Sequence, residues 1–258
     1  MTFTRLLTAS ALASVMAVSP VMAADSAMSP EQKKQVEQVI HDYLVSNPEV
    51  LVEASQVLQQ KQQQTMQKEA QSSISQNADA LLSGKLAVAG NPKGNVTVVE
   101  FFDYQCIHCK KMKPVISELI QKDSNVRVIY KEFPIFGKSS ELASKAALAA
   151  AMQGKYIPFQ EALLQLDKHL DKDLILSTAK SVGLDVKKLE TDMDSKAVSD
   201  ELDANRKLAE KMHLMGTPAF VVLATPGGVL KAGTEPAFIP GGTTFEALQA
   251  LVSKAAAQ

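Results

Sequence analysis

The chain has 258 residues, with 27 Lys and Arg against 28 Asp and Glu, 46% hydrophobic residues and two cysteines. The near-neutral balance leaves no basic footprint of the kind that binds nucleic acid, and the length is enough for a sizeable core. Two cysteines separated by only two residues exclude a framework of several structural disulfides joining distant segments.

The first 23 residues, MTFTRLLTASALASVMAVSPVMA, carry one cation (Arg5), an uncharged run from Leu6 to Ser19 and small residues around Val21 and Ala23. That is the pattern of a secretory signal peptide cleaved after Ala23. The run falls short of the ~20 residues that span a bilayer. An exported chain without an endoplasmic-reticulum retention signal is expected in a bacterial periplasm.

Residues 24–89 form an expected N-terminal helical region and linker. In SPEQKKQVEQVIHDYLVS, Ser29 caps, Pro30 takes the first helical position and Gln32 completes a capping box. Val36, Val39, Ile40, Tyr43 and Leu44 then follow the spacing of one helix face. A second helix starts at Asn47 and Pro48, with Val50, Leu51, Ala54, Val57 and Leu58 as its stripe, before turning polar at Gln59, Gln60, Gln62, Gln63 and Gln64. Two such helices cannot bury their stripes on each other alone. They must pack on the main domain or on a second copy of the chain. GNPKGN then reads as a domain boundary.

From residue 90 onward, VTVVEFFDY (96–104) predicts a buried strand, a helix follows with Met112, Val115, Ile116, Leu119 and Ile120 inward, and VRVIYKEFP (126–134) predicts a second strand. Residues from Ser139 to Met212 read as helical. PAFVVL is a further strand, GGVLKAG a turn and another strand, and TTFEALQALVSKA a last helix boxed by Thr243 and Glu246. This order makes an α/β domain whose first helix begins at the cysteine pair.

Cys106 and Cys109 enclose Ile107 and His108. A thiol at a helix N-terminus faces free backbone N–H groups and the positive end of the helix dipole, both of which favour its thiolate. His108 adds an imidazole in the same turn. Cys106 is therefore the expected nucleophile and Cys109 the resolving thiol. No metal is expected, because His41, His169 and His213 are scattered without ligand spacing. A disulfide closing so small a loop would do little for stability. Redox chemistry remains, and no cofactor is called for. Glu100 breaks the apolar strand VVEFF six residues before Cys106 and is a candidate proton acceptor for Cys109; Lys131, on the neighbouring strand, is its candidate charge partner. Pro218 in MGTPAF, just before a strand, is a candidate cis-proline.

Together, VVEFFDY, CIHC at a helix start, Pro114 five residues past the second cysteine, and GTP before a late strand resemble the thioredoxin superfamily. The helical block at about 138–213 narrows the resemblance to DsbA-type periplasmic thiol-disulfide oxidoreductases, over residues 90–258. The resemblance implies a thioredoxin fold with an inserted helical domain and a reversible Cys106–Cys109 disulfide. It gives His108 the thiolate-stabilising role and makes Glu100 the buried acid. It assigns Thr217 and Pro218, with Ile107, to substrate binding. Ile107 departs from the proline of DsbA itself, and Thr217 matches the threonine of the dimeric isomerases DsbC and DsbG. Residues 24–89 are similar to the extension of Com-type surface antigens, which implies a homodimer through residues 24–75. The implied partners are unfolded or misoxidised exported proteins and a membrane redox partner of DsbB or DsbD type. A chaperone or surface interaction protein with secondary thiols, or a thiol reductase, are the competing readings.

Overall fold

The computed structural model describes residues 28–83 and 88–258. The expected signal peptide, residues 1–23, lies outside the described residues. The chain divides into two compact units, Met1–Gln59 and Gln60–Gln258.

In the first unit, α1 (Pro30–Ser46) begins with the expected capping box: the Ser29 side chain accepts from the Gln32 N–H, and the Gln32 side chain accepts from the Ser29 N–H. No residue of α1 is buried. Helix α2 (Glu49–Gln76) runs through the division between the units. The apolar stripes expected to be covered are open in the single chain, with Val39 68% exposed, Tyr43 56%, Leu51 55% and Leu58 57%.

The second unit is built on a five-stranded sheet in the order β1-β3-β2-β4-β5. Its members are β1 (Val88–Gly90), β2 (Val96–Phe102), β3 (Val126–Glu132), β4 (Ala219–Ala224) and β5 (Ala237–Ile239). The β2–β3 pair is parallel, joined by α4 (Ile107–Lys122), and the other pairs are antiparallel. Central β2 is buried at every position, Thr97 and Glu100 included. One sheet face packs Val98, Val128 and Val222 against Met112, Ile116 and Leu119 of α4, and against Leu248 and Val252 of α10 (Phe245–Ala256). Between β3 and β4 lie α5 (Lys138–Ala151), α6 (Tyr156–Leu164), α7 (Lys172–Ser181), α8 (Val186–Met193) and α9 (Lys196–Lys211). These form the expected helical insertion, with its own core around Phe159, Leu163 and Leu189.

Three details differ from the sequence reading. The second unit begins upstream of residue 90. Ile74 at the end of α2 and Leu81 of α3 (Ala78–Leu82) are fully buried against Val99, Phe101 and Ile129, and β1 pairs with β3. Helix α10 is capped by Thr244, whose hydroxyl accepts from the Ala247 N–H at 3.2 Å, not by Thr243; the Thr243 N–H turns to the Met112 sulfur at 3.4 Å. At the start of GGVLKAG, Gly227 and Gly228 form a short 3₁₀ turn with Pro226, with positive φ at both glycines, and the pairing strand comes later, at β5.

Candidate functional site

At the end of β2 the chain turns through Asp103–Gln105 into α4. Cys106 is the N-cap of that helix, with extended backbone (φ −75°, ψ 114°). Ile107 and His108 are exposed, Ile107 by 62%. Cys109 lies one turn inward and is 1% exposed, and both cysteines are free thiols. The Cys106 thiol donates to the Thr217 carbonyl at 3.2 Å, and the Thr217–Pro218 bond is cis. The structure therefore brings Cys106, Cys109, His108, Ile107, Thr217 and Pro218 together across 111 residues of sequence.

The two thiols are electrostatically unlike. Cys106 is held down to about 5, first by the Cys109 thiol donating to its sulfur, then by the Thr217 hydroxyl and the backbone N–H groups of Cys109 and His108, with burial opposing. The Thr217 hydroxyl is buried and has no partner while Cys106 is a thiol. Ionised, the sulfur becomes the acceptor that this hydroxyl lacks. His108 thus meets the sulfur through its main chain, while its ring stands in solvent. The Cys109 thiol is pushed far up by burial, by its hydrogen bond to Cys106 and by the charge of Glu100. Glu100, 4% exposed, is raised to about 8 by burial and by the charge on Cys106. An outer thiolate thus sits above an inner thiol, with a carboxyl that changes charge near neutral pH facing the pair.

Lys131 does not join this site. In the parallel register, Glu100 lies opposite Tyr130 and Phe101 opposite Lys131. Successive residues alternate faces, so Lys131 points to the far side of the sheet from Glu100. There it is 2% exposed, and its Nζ donates to the Ser83 carbonyl at 2.8 Å. Burial draws its ammonium pKa down.

Two further carboxyls surround the site. Asp103 is fully buried and accepts from the Gln105 N–H and Ser140 hydroxyl at one oxygen, and from the Ile135 and Phe136 N–H groups at the other. Glu132 accepts from the hydroxyls of Tyr104 at 2.9 Å and Tyr156 at 2.6 Å, and burial raises it to about 8. The signal available for both was the one that exposed Glu100, an acid at the end of an apolar strand. Their partners lie too far along the chain for a local reading.

Among the described residues, no cluster of three or more His, Cys, Asp or Glu side chains is arranged to hold a metal ion. No described helix is long and apolar enough to cross a membrane.

Against known proteins, residues 97–253 match the DSBA-like thioredoxin domain family, and residues 32–65 match the N-terminal domain of the copper resistance protein ScsC. The structure is similar to BcfH of Salmonella enterica Typhimurium (33% identity, TM-score 0.76, covering 87% of this chain and 96% of that one). It is similar to a thioredoxin-like oxidoreductase of Silicibacter pomeroyi DSS-3 (38%, TM-score 0.63, 70% and 99%). It also resembles Proteus mirabilis ScsC in a transitional conformation (28%, TM-score 0.63, 89% and 99%). The chain spans 21% of the length of the Na(+)/H(+) antiporter NhaA 3 of Salinispora tropica, which it matches at 27% identity over 52% of its own length.

Proposed function

Because the chain belongs to the DsbA-like thioredoxin domain family, we propose that it exchanges disulfides in exported proteins as a homodimer with both oxidase and isomerase activity. The observation that carries this reading is the contrast between a Cys106 thiol lowered to about 5 at a helix N-cap and a buried Cys109 pushed far upward. One similar solved structure is a periplasmic thioredoxin-like protein from Salmonella enterica serovar Typhimurium, and with the signal motif of residues 1–23 this supports the periplasm as the compartment.

As an oxidase, the protein begins with a Cys106–Cys109 disulfide. A substrate thiolate attacks the Cys106 sulfur; a mixed disulfide forms, the Cys106–Cys109 bond breaks, and Cys109 leaves with the electron pair and takes up a proton. Glu100, raised to about 8, is suited to supply or accept that proton directly or through water. A second substrate thiolate then attacks the substrate sulfur and displaces Cys106 as a stable thiolate. The substrate is oxidised by two electrons and the protein reduced, so a membrane partner of DsbB type must restore the disulfide. As an isomerase, the reduced protein starts from the Cys106 thiolate, attacks a wrong substrate disulfide and is released without net electron transfer. Ile107, Thr217 and Pro218 would line the substrate chain in both directions. Two sites in one dimer favour isomerisation, because a misfolded chain must be held while it is rearranged.

The deciding experiment is refolding of a scrambled multi-disulfide substrate beside the same substrate fully reduced. Recovery of both, abolished by Cys106→Ser, is expected. Recovery of the reduced substrate alone would remove the isomerase half. The exposed apolar faces of α1 and α2 favour a second reading, a chain-binding chaperone. Undiminished suppression of substrate aggregation by the Cys106→Ser, Cys109→Ser double variant, without refolding activity in the unaltered protein, would favour it.

A further inference from the structure

Met215 is 96% exposed, more than any other large apolar side chain among the described residues. The local chain puts it there. Helix α9 ends at Lys211, and His213 then takes a positive φ of 53°, which turns the backbone over the helix end. Leu214, whose N–H donates to the Ala209 carbonyl at 2.9 Å, packs against the buried cluster that holds Phe101, Leu208 and Val221. With Leu214 directed inward, Met215 is left facing water. Two residues later, the Thr217 carbonyl accepts the Cys106 thiol at 3.2 Å. Two residues of chain span at most about 7 Å, so Met215 stands close beside the sulfur. Gly216, between them, adds no bulk, and a Cβ there would meet nothing within 4 Å. Ile107, directly after Cys106, supplies a second apolar side chain in water, 62% exposed. A methionine placed this way contributes nothing to the core, because apolar surface stabilises only when it is covered.

We propose that Met215 is a specificity-determining residue: with Ile107 it forms an apolar rest for large apolar side chains within two residues of the substrate cysteine, so the preferred substrates are unfolded segments whose cysteines have apolar neighbours. The proposal rests on the disulfide-exchange reading above and names the class of chain that the same site takes. Its surface is continuous with the cysteine site through the Thr217 carbonyl. An extended substrate advances about 3.4 Å per residue. While its sulfur is at Cys106, a side chain one or two residues away lies over the span that Met215 covers. Cysteines with apolar neighbours belong in a folded core, so they are within reach only while the substrate is unfolded. Methionine suits a varied set of them, because its unbranched, polarisable side chain adapts to different shapes. A small polar neighbour gains nothing from the contact.

The test uses two reduced peptides that each carry two cysteines and differ only in the residues beside them, Leu in one and Ser in the other. Each is mixed in excess with protein holding the Cys106–Cys109 disulfide, and loss of that disulfide is followed through a single turnover. Two electrons pass from peptide to protein. The peptide thiols join as a disulfide, and of their two protons one goes to Cys109 and one to solvent, leaving Cys106 a thiolate. At low concentration the unaltered protein is expected to react about tenfold faster with the Leu peptide, through a lower half-saturating concentration and not a higher limiting rate. Met215→Gln, of similar length but polar, is expected to bring the ratio of the two rates close to unity, and Met215→Leu to restore most of it. Because this side chain meets water on nearly all sides, both variants should melt with the unaltered protein. Val229→Gln is the control. It changes another exposed apolar side chain, at the opposite end of β4 from Thr217, and should keep the full ratio. A Met215→Gln protein that keeps the ratio, or a Val229→Gln protein that loses as much of it, would overturn the proposal. If the unaltered protein oxidises neither peptide, the exchange reading fails first and this proposal with it. If it oxidises both at one rate, only the apolar preference fails.

Discussion

Cys106 and the two raised carboxyls respond to pH in opposite senses, and this divides the redox states. A thiol lowered from 9.0 to about 5 stabilises the reduced fold most fully above pH 9, and that contribution is lost as pH falls through 5. Glu100 and Glu132, each raised from 4.5 to about 8 chiefly by burial, act the other way: their contribution is full below 4.5 and is lost as pH rises through 8. The oxidised protein lacks the Cys106 thiolate and keeps both carboxyls. Thermal melts between pH 5 and 8 should show the oxidised form losing stability as pH rises, while the reduced form loses less. Parallel profiles for the two forms would contradict this balance. Glu100→Gln should flatten both profiles and slow the resolving step. Because the His108 ring stands in solvent, His108→Ala should change the Cys106 pKa little, read by thiolate absorbance. The N–H of residue 108 still faces the sulfur after the substitution, so an unchanged titration would assign the thiolate to the main chain alone.

Elements were legible where one local pattern decides them. VTVVEFF reads as a buried strand because all seven residues are buried, and the α4 stripe shows because Met112, Ile116 and Leu119 recur at helical spacing. What escaped needed distant partners. Ile74 sits at the end of a long polar helix and Leu81 in the short α3 that follows it, and nothing near them signals that a sheet face will cover them. The side of the sheet that Lys131 occupies depends on the β2–β3 register, since a shift of one residue reverses it. Asp103 and Glu132 find their donors in the helical insertion and the segments leading to it. The α10 cap was off by a single residue between two adjacent threonines, and the contact of the Thr243 N–H with Met112 belongs to the tertiary fold. This choice is measurable: Thr244→Ala should cost about 1 kcal/mol of stability, as an N-cap does, whereas Thr243→Ala should cost much less.

At the scale of the whole chain, the two units pose different problems of stability. Gln60–Gln258 holds all three buried apolar clusters and the complete cysteine site. In Met1–Gln59, by contrast, Val39, Ile40, Tyr43, Leu51 and Leu58 are each more than half exposed. Isolated helices gain little in water without an apolar face to bury, and such a face repeated on a second copy can bury itself symmetrically. We therefore narrow the dimer contact expected through residues 24–75 to the part before residue 60. Ile74, fully buried in the catalytic unit, sets the limit for a clean deletion. Removing 24–59 should leave the apolar clusters intact, giving a monomer by sedimentation that oxidises reduced substrates at close to the full rate per site. The same variant should lose most isomerase activity, because one site no longer has a facing partner to retain a misfolded chain. A full-length protein that sediments as a monomer, or a truncated one that keeps full isomerase activity, would separate isomerisation from self-association.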